Sequence, residues 1–141
     1  MTTIDLTTDP AGTDSTITDP ASPADASRTA LLVGLLQALV VANLVQVLAG
    51  FTGADPSPPA DVVPGIAATA LLGIAAVPMV RAGARAGYRL GIGFCLASMV
   101  GMGPHKLFMA DGGVIAPMAL VGFALEVAFI VAAVRTLREL P

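Results

Sequence analysis

The sequence predicts an all-α membrane protein, a four-transmembrane-helix up-down bundle behind a disordered N-terminal tail. Three observations predict it. Of the 141 residues only 12% are charged and 55% are apolar, whereas a soluble domain is about one quarter charged. The apolar residues gather into four stretches, each close to the length of about 20 residues that crosses the hydrocarbon core of a bilayer. Between Val114 and Val134 stands a single charged residue, Glu126. An ionisable group at that depth costs about 3 kcal/mol on insertion scales, so it needs partners or a function.

Residues 1–28 are rich in Thr, Ser, Asp and Pro and hold no apolar run. Such a segment cannot bury enough surface to offset the entropy of ordering, so a disordered, acidic tail is expected. The segment is acidic apart from Arg28, and the apolar run after it is too long for the core of a secretory signal. The first helix is therefore expected to remain as a membrane anchor. A transmembrane domain of residues 29–141 follows, with helices at about 29–49, 62–80, 86–103 and 114–134.

Helix one is interrupted by Gln37, Asn43 and Gln46. Lipid satisfies none of these side chains. At about 100° per residue Asn43 and Gln46 share a face and Gln37 points elsewhere. The connection GFTGADPSPPADVVP reads as a loop from its prolines and aspartates. Helix two tolerates Pro64 in its first turn and meets Pro78 near its exit, with Thr69 its one polar side chain at membrane depth.

Arg81, Arg85 and Arg89 recur every fourth residue. On a continued helix they share one side, where long basic side chains snorkel toward lipid headgroups. Helix three carries two ridges of small residues. One runs through Gly83, Gly87, Gly91 and Cys95, the other through Gly93, Ala97 and Gly101. Small residues at this spacing let helix backbones approach closely in lipid, so a helix packed on two sides is expected. Pro104 ends it, His105 and Lys106 sit in the turn with Leu107, Phe108 and Met109 facing headgroups, and Asp111 can start helix four.

With four spans both termini lie on one side. Arg28, Arg81, Arg85, Arg89, Arg135 and Arg138 then share that side and Lys106 stands alone opposite. The excess of basic residues marks the cytoplasmic side, which places the protein in the cell (plasma) membrane as a multi-pass protein with both termini inside.

Counting nine residues from the basic end gives the depth of Glu126 from Arg135, and the same count reaches Gln37 from Arg28 and Ser98 from Arg89. Leu72 lies at that level on helix two, with Thr69 a turn further out. An intramembrane polar layer of Glu126, Gln37, Ser98 and Thr69 is therefore expected. The small residues Ala119, Gly122 and Ala133 share the Glu126 face, so its side chain is expected to point inward. Two roles follow from this layer. A protonated Glu126 can donate to Gln37 or Ser98 and hold helices together, at about 1 kcal/mol per bond. Alternatively the carboxyl exchanges a proton or a cation as the bundle opens to alternate sides.

Other features carry less chemistry. Asn43, Gln46, His105 and Lys106 form an outer-side polar group that could line a vestibule, and His105 with Lys106 could meet an anion, a quinone or a haem propionate. Cys95 reads as packing. With one cysteine and one histidine, neither a disulfide framework, nor a metal site, nor a resident cofactor is expected. Catalysis needs a nucleophile beside an activating base, and no such pair is visible. The first expectation is a non-enzymatic protein acting by helix association, as an accessory subunit or small homo-oligomer. A proton- or cation-coupled carrier using Glu126 comes second, and a quinone- or haem-linked redox subunit third. Its partners would be the lipid bilayer and other membrane chains. Nucleic acid is excluded, because the arginines belong to the membrane surface.

Overall fold

The computed structural model describes residues 22–102, 108 and 112–140. Four helices make up nearly all of it: α1 (Pro23–Thr52), α2 (Val63–Arg81), α3 (Arg85–Met102) and α4 (Gly112–Glu139). Each helix packs on two neighbours in the cyclic order α1, α2, α3, α4.

Helix α1 begins six residues before the expected start. Ser22 is the reason. Its hydroxyl accepts the Asp25 amide at 3.2 Å and donates to the Asp25 carboxylate at 2.7 Å, which satisfies a backbone donor that a helix start otherwise leaves open. Pro23 adds a backbone angle already suited to a first turn. Residues 23–28 thus belong to the helix and not to the tail. At the other end the chain turns out through Gly53, held at φ 67° with its N–H on the Ala49 carbonyl, a conformation that suits glycine.

The connection to α2 is the proline-rich loop. Val63 fills the space beside Gly50, where a Cβ would collide with it. Pro64 lies in the first turn of α2, and the helix closes through Gly83 at φ 69°. The Gly83 amide donates to Val80 and the Ala84 amide to Met79, at 3.0 and 2.9 Å. That tight corner leads at once into α3.

Arg28 at the start of α1 pairs with Glu139 at the end of α4, and Arg85 at the start of α3 donates to the Leu140 carbonyl. These contacts bring the first turns of α1 and α3 and the last turns of α2 and α4 to one end. The helices therefore run up, down, up and down. The core follows one stripe per helix, with Leu32, Leu36 and Leu39 of α1, Val80 of α2, Phe94 and Cys95 of α3, and Phe129 and Ala133 of α4.

Helices α1, α2 and α4 are long and apolar enough to cross a membrane. The sequence reading expected four such helices. Helix α3 is the exception because Arg85, Tyr88, Arg89 and four glycines occupy its 18 residues.

The two small-residue ridges of α3 have different fates. A Cβ on Gly87 would lie 2.5 Å from the Met79 carbonyl carbon, and one on Gly91 would lie 2.6 Å from the Phe129 ring. The first ridge is thus seated against α2 and α4, with Cys95 fully buried beside it. The second is not packed. Gly93 and Gly101 have nothing within 4 Å of a Cβ position, and Ala97 is half-buried. The expectation of a helix packed on two ridges is corrected to one, because a single face of α3 already meets both neighbours.

Candidate functional site

Every turn of α1 from Leu32 to Asn43 contributes to one buried stripe, through Leu32, Leu36, Leu39 and Asn43. Asn43 closes that stripe with a polar side chain that is 2% exposed. Its amide nitrogen donates to the Leu39 carbonyl at 3.0 Å and to the Ser98 hydroxyl at 3.1 Å. Ser98, itself 3% exposed, brings α3 into the same contact. An Asn–Ser bond between helices is therefore the polar link at this level.

Glu126 is 0% exposed, and it points inward. Ala119, Gly122 and Ala133 on its own face are buried with it. Ser98 lies beside the carboxyl, with Cys95 close by. Neither carboxyl oxygen has a partner among the described residues. A buried polar atom without a partner is rare, and each one calls for an explanation. An ionised carboxyl so placed would carry the full penalty of an unpaired buried charge, so the neutral acid is the form this surrounding can hold.

The Asn43–Ser98 pair also forms part of a cavity of about 580 Å³ at the end of the bundle away from the arginines. All four helices and the proline-rich loop line it. Asn43, Gln46, Asp61, Thr69 and Ser98 supply its polar groups, and residues such as Ile66, Val100 and Met118 its apolar walls. Its described lining contains acidic and neutral side chains and no basic one.

The expected polar layer is thus partly rebuilt. Gln37 is exposed. Its side chain lies off the Leu32–Asn43 stripe, and Asn43, six residues further along α1, is the one that meets Ser98. Thr69 is half-buried and donates to the Gly65 carbonyl of its own helix at 2.9 Å, facing the cavity. Ser98 and Glu126 do meet in the interior, and the partner that α1 sends is Asn43. The signal for Asn43 was its spacing on the apolar stripe. Gln46 is half-buried on the cavity wall. His105, Lys106 and Asp111 lie outside the described residues, and Phe108 is exposed. Arg81, Arg85 and Arg89 are exposed at the opposite end. No group of three metal-ligating side chains comes together among the described residues.

The described residues form an all-helical fold of four helices, three of them long and apolar enough to cross a membrane, with the occluded carboxyl of Glu126 behind a polar-floored cavity. The chain matches no protein-family model, no curated protein and no solved structure.

Proposed function

We propose that this is an integral membrane protein of four spans that binds a small solute in the cavity and couples that binding to a proton on Glu126, as a proton-coupled carrier. The observation that carries the reading is the fully buried Glu126, neither of whose carboxyl oxygens has a partner among the described residues, one polar layer beneath an open cavity. An acid used only to join helices would sit in a hydrogen bond. An acid that must gain and lose a proton gains from having none fixed, because either charge state can then be matched by what enters the cavity.

The outer surface supports the membrane setting. Large apolar side chains such as Leu31, Leu44, Leu48, Leu71, Leu96 and Val121 are exposed, a surface that water disfavours and lipid accepts. The six arginines at the closed end orient that end to the cytoplasm by the positive-inside rule. The cavity then opens to the outside. The arginines also explain how α3 spans despite its polar start, since Arg85 and Arg89 fall at the headgroup level.

Proteoliposomes loaded with a pH-sensitive dye test the reading. A panel of small cationic, neutral and anionic solutes is added outside. At least one solute shifts the internal pH with the wild-type protein and not with Glu126→Gln, which still inserts and folds. Equal pH shifts in the two proteins, or none with any solute, overturn it.

Association as an accessory subunit is the second reading. The exposed Gly93 favours it, because nothing among the described residues packs against that position of α3. Crosslinking in native membranes through Gly93→Cys tests it, and a specific crosslinked product is the expected result.

A further inference from the structure

We infer that the cavity selects a monovalent organic cation with an apolar body, and that this cation displaces the proton of Glu126. The inference rests on the site of the proposed carrier and not on transport. Three observations lead to it.

The first is the sign of the charges. Asp61 stands in the cavity lining near its mouth, Glu126 lies behind its floor, and no basic side chain belongs to the described lining. The arginines that could compensate a carboxylate are gathered at the opposite end. The charge that the described lining contributes is negative, so a cation entering here is favoured over an anion, most of all close to the buried Glu126 where the dielectric is low. The second is the wall. Val62, Ile66, Val100 and Met118 offer an apolar lining between these polar groups, which suits a hydrocarbon body and not a hydrated inorganic ion.

The third is the floor. Asn43 spends both amide hydrogens, on Leu39 and on Ser98. Ser98 therefore accepts from Asn43 and keeps its own O–H for the carboxyl beside it. When Glu126 is protonated the floor is neutral and closed. When it is ionised, Ser98 can donate to one oxygen, and the other needs a positive charge. The exchange balances as one cation in and one proton out, with no covalent step.

The titratable groups around Glu126 are few. Helix α3 contributes Cys95 and, at the arginine end, Tyr88. Neither α1 from Thr29 to Thr52 nor α2 from Val63 to Val80 carries a titratable side chain, and α4 carries no other from Val114 to Val134. Asp61 faces the same cavity from the loop. A single proton is thus the quantity to follow.

Isothermal titration calorimetry on the full chain in detergent, in two buffers of different ionisation enthalpy, counts it. The probes share one body: 4-phenylbutyltrimethylammonium, 4-phenylbutanol and 4-phenylbutyrate. The quaternary cation holds no proton, so any proton released comes from the protein. Expected are saturable binding of the cation only, release of about one proton per cation, and affinity falling roughly tenfold per pH unit on acidification. Glu126→Gln abolishes proton release and weakens binding at least about tenfold. Asp61→Asn weakens it about twofold and leaves the proton count unchanged, as a screened rim charge should. Glu126→Asp, which keeps an acid, retains proton release and serves if the Gln variant does not fold. Cation binding without proton release, or equal binding of the alcohol, overturns the inference. Cation-linked proton release without any pH shift in proteoliposomes refutes the carrier and leaves the inference standing. A pH shift driven by a neutral solute does the reverse.

Discussion

Replacing Gly87 by alanine tests the packing on which the whole site rests. The new Cβ would stand 2.5 Å from the Met79 carbonyl carbon and 2.6 Å from the Val80 amide nitrogen. Comfortable carbon contacts lie at about 3.5–4.0 Å, so α2 and α3 must part by about 1 Å where they cross. The obstacle is backbone, which cannot rotate away as a side chain can. A gap of that size forfeits a quarter to a half of the dispersion energy of each facing contact, and overpacking of this kind costs about 1–3 kcal/mol. Gly91→Ala meets the Phe129 ring at 2.6 Å, a side chain and not backbone, so its cost should fall at the low end of the same range, about 1 kcal/mol. Gly93→Ala meets nothing and should fall within about 0.5 kcal/mol of wild type. Equilibrium unfolding in mixed micelles, followed by loss of helical circular dichroism, gives the three values. The order Gly87, Gly91, Gly93 is the prediction. A Gly87→Ala protein as stable as wild type would show that α2 and α3 do not cross where the structure places them.

Other variants probe individual contacts. Ser98→Ala leaves the Asn43 amide with Leu39 alone and should cost about 1 kcal/mol in the same assay, while also altering the proton response, which a purely structural link would not do. Gln37→Leu should leave both stability and proton response unchanged, because Gln37 faces outward; a changed proton response would return it to the Glu126 layer. Ser22→Ala removes the helix cap and should raise amide exchange over residues 24–28, with a local cost of about 1 kcal/mol, read by hydrogen exchange. Unchanged protection there would place the start of α1 further along the chain.

Much of the arrangement was legible in the chain, and the misses share a cause. The inward direction of Glu126 followed from Ala119, Gly122 and Ala133, because small residues on one helical face leave room for a carboxyl. The Gly87 ridge followed from its four-residue spacing. Gln37 failed because counting from Arg28 fixes depth along α1 and says nothing about direction around it. Asn43 carried the missing information, falling seven residues after Leu36 and four after Leu39 on the buried stripe. The start of α1 was also written locally, in Ser22-Pro23-Ala24-Asp25, but the acidic composition of the segment before it obscured the cap. The cavity was legible only in part, through Asn43 and Gln46, which share a face of α1 and line it. Its walls come from the proline-rich loop and all four helices together, an arrangement that no residue pattern within one helix encodes.

In the proposed exchange Glu126 holds a proton that the cavity's occupant controls. Difference infrared spectroscopy of the protein in lipid reads that proton at its source. The account predicts a protonated carboxyl band at neutral pH that is absent from Glu126→Gln and disappears from the wild type when 4-phenylbutyltrimethylammonium is added. A Glu126 band that stays unchanged at saturating cation would contradict it and leave the carboxyl a fixed part of the bundle.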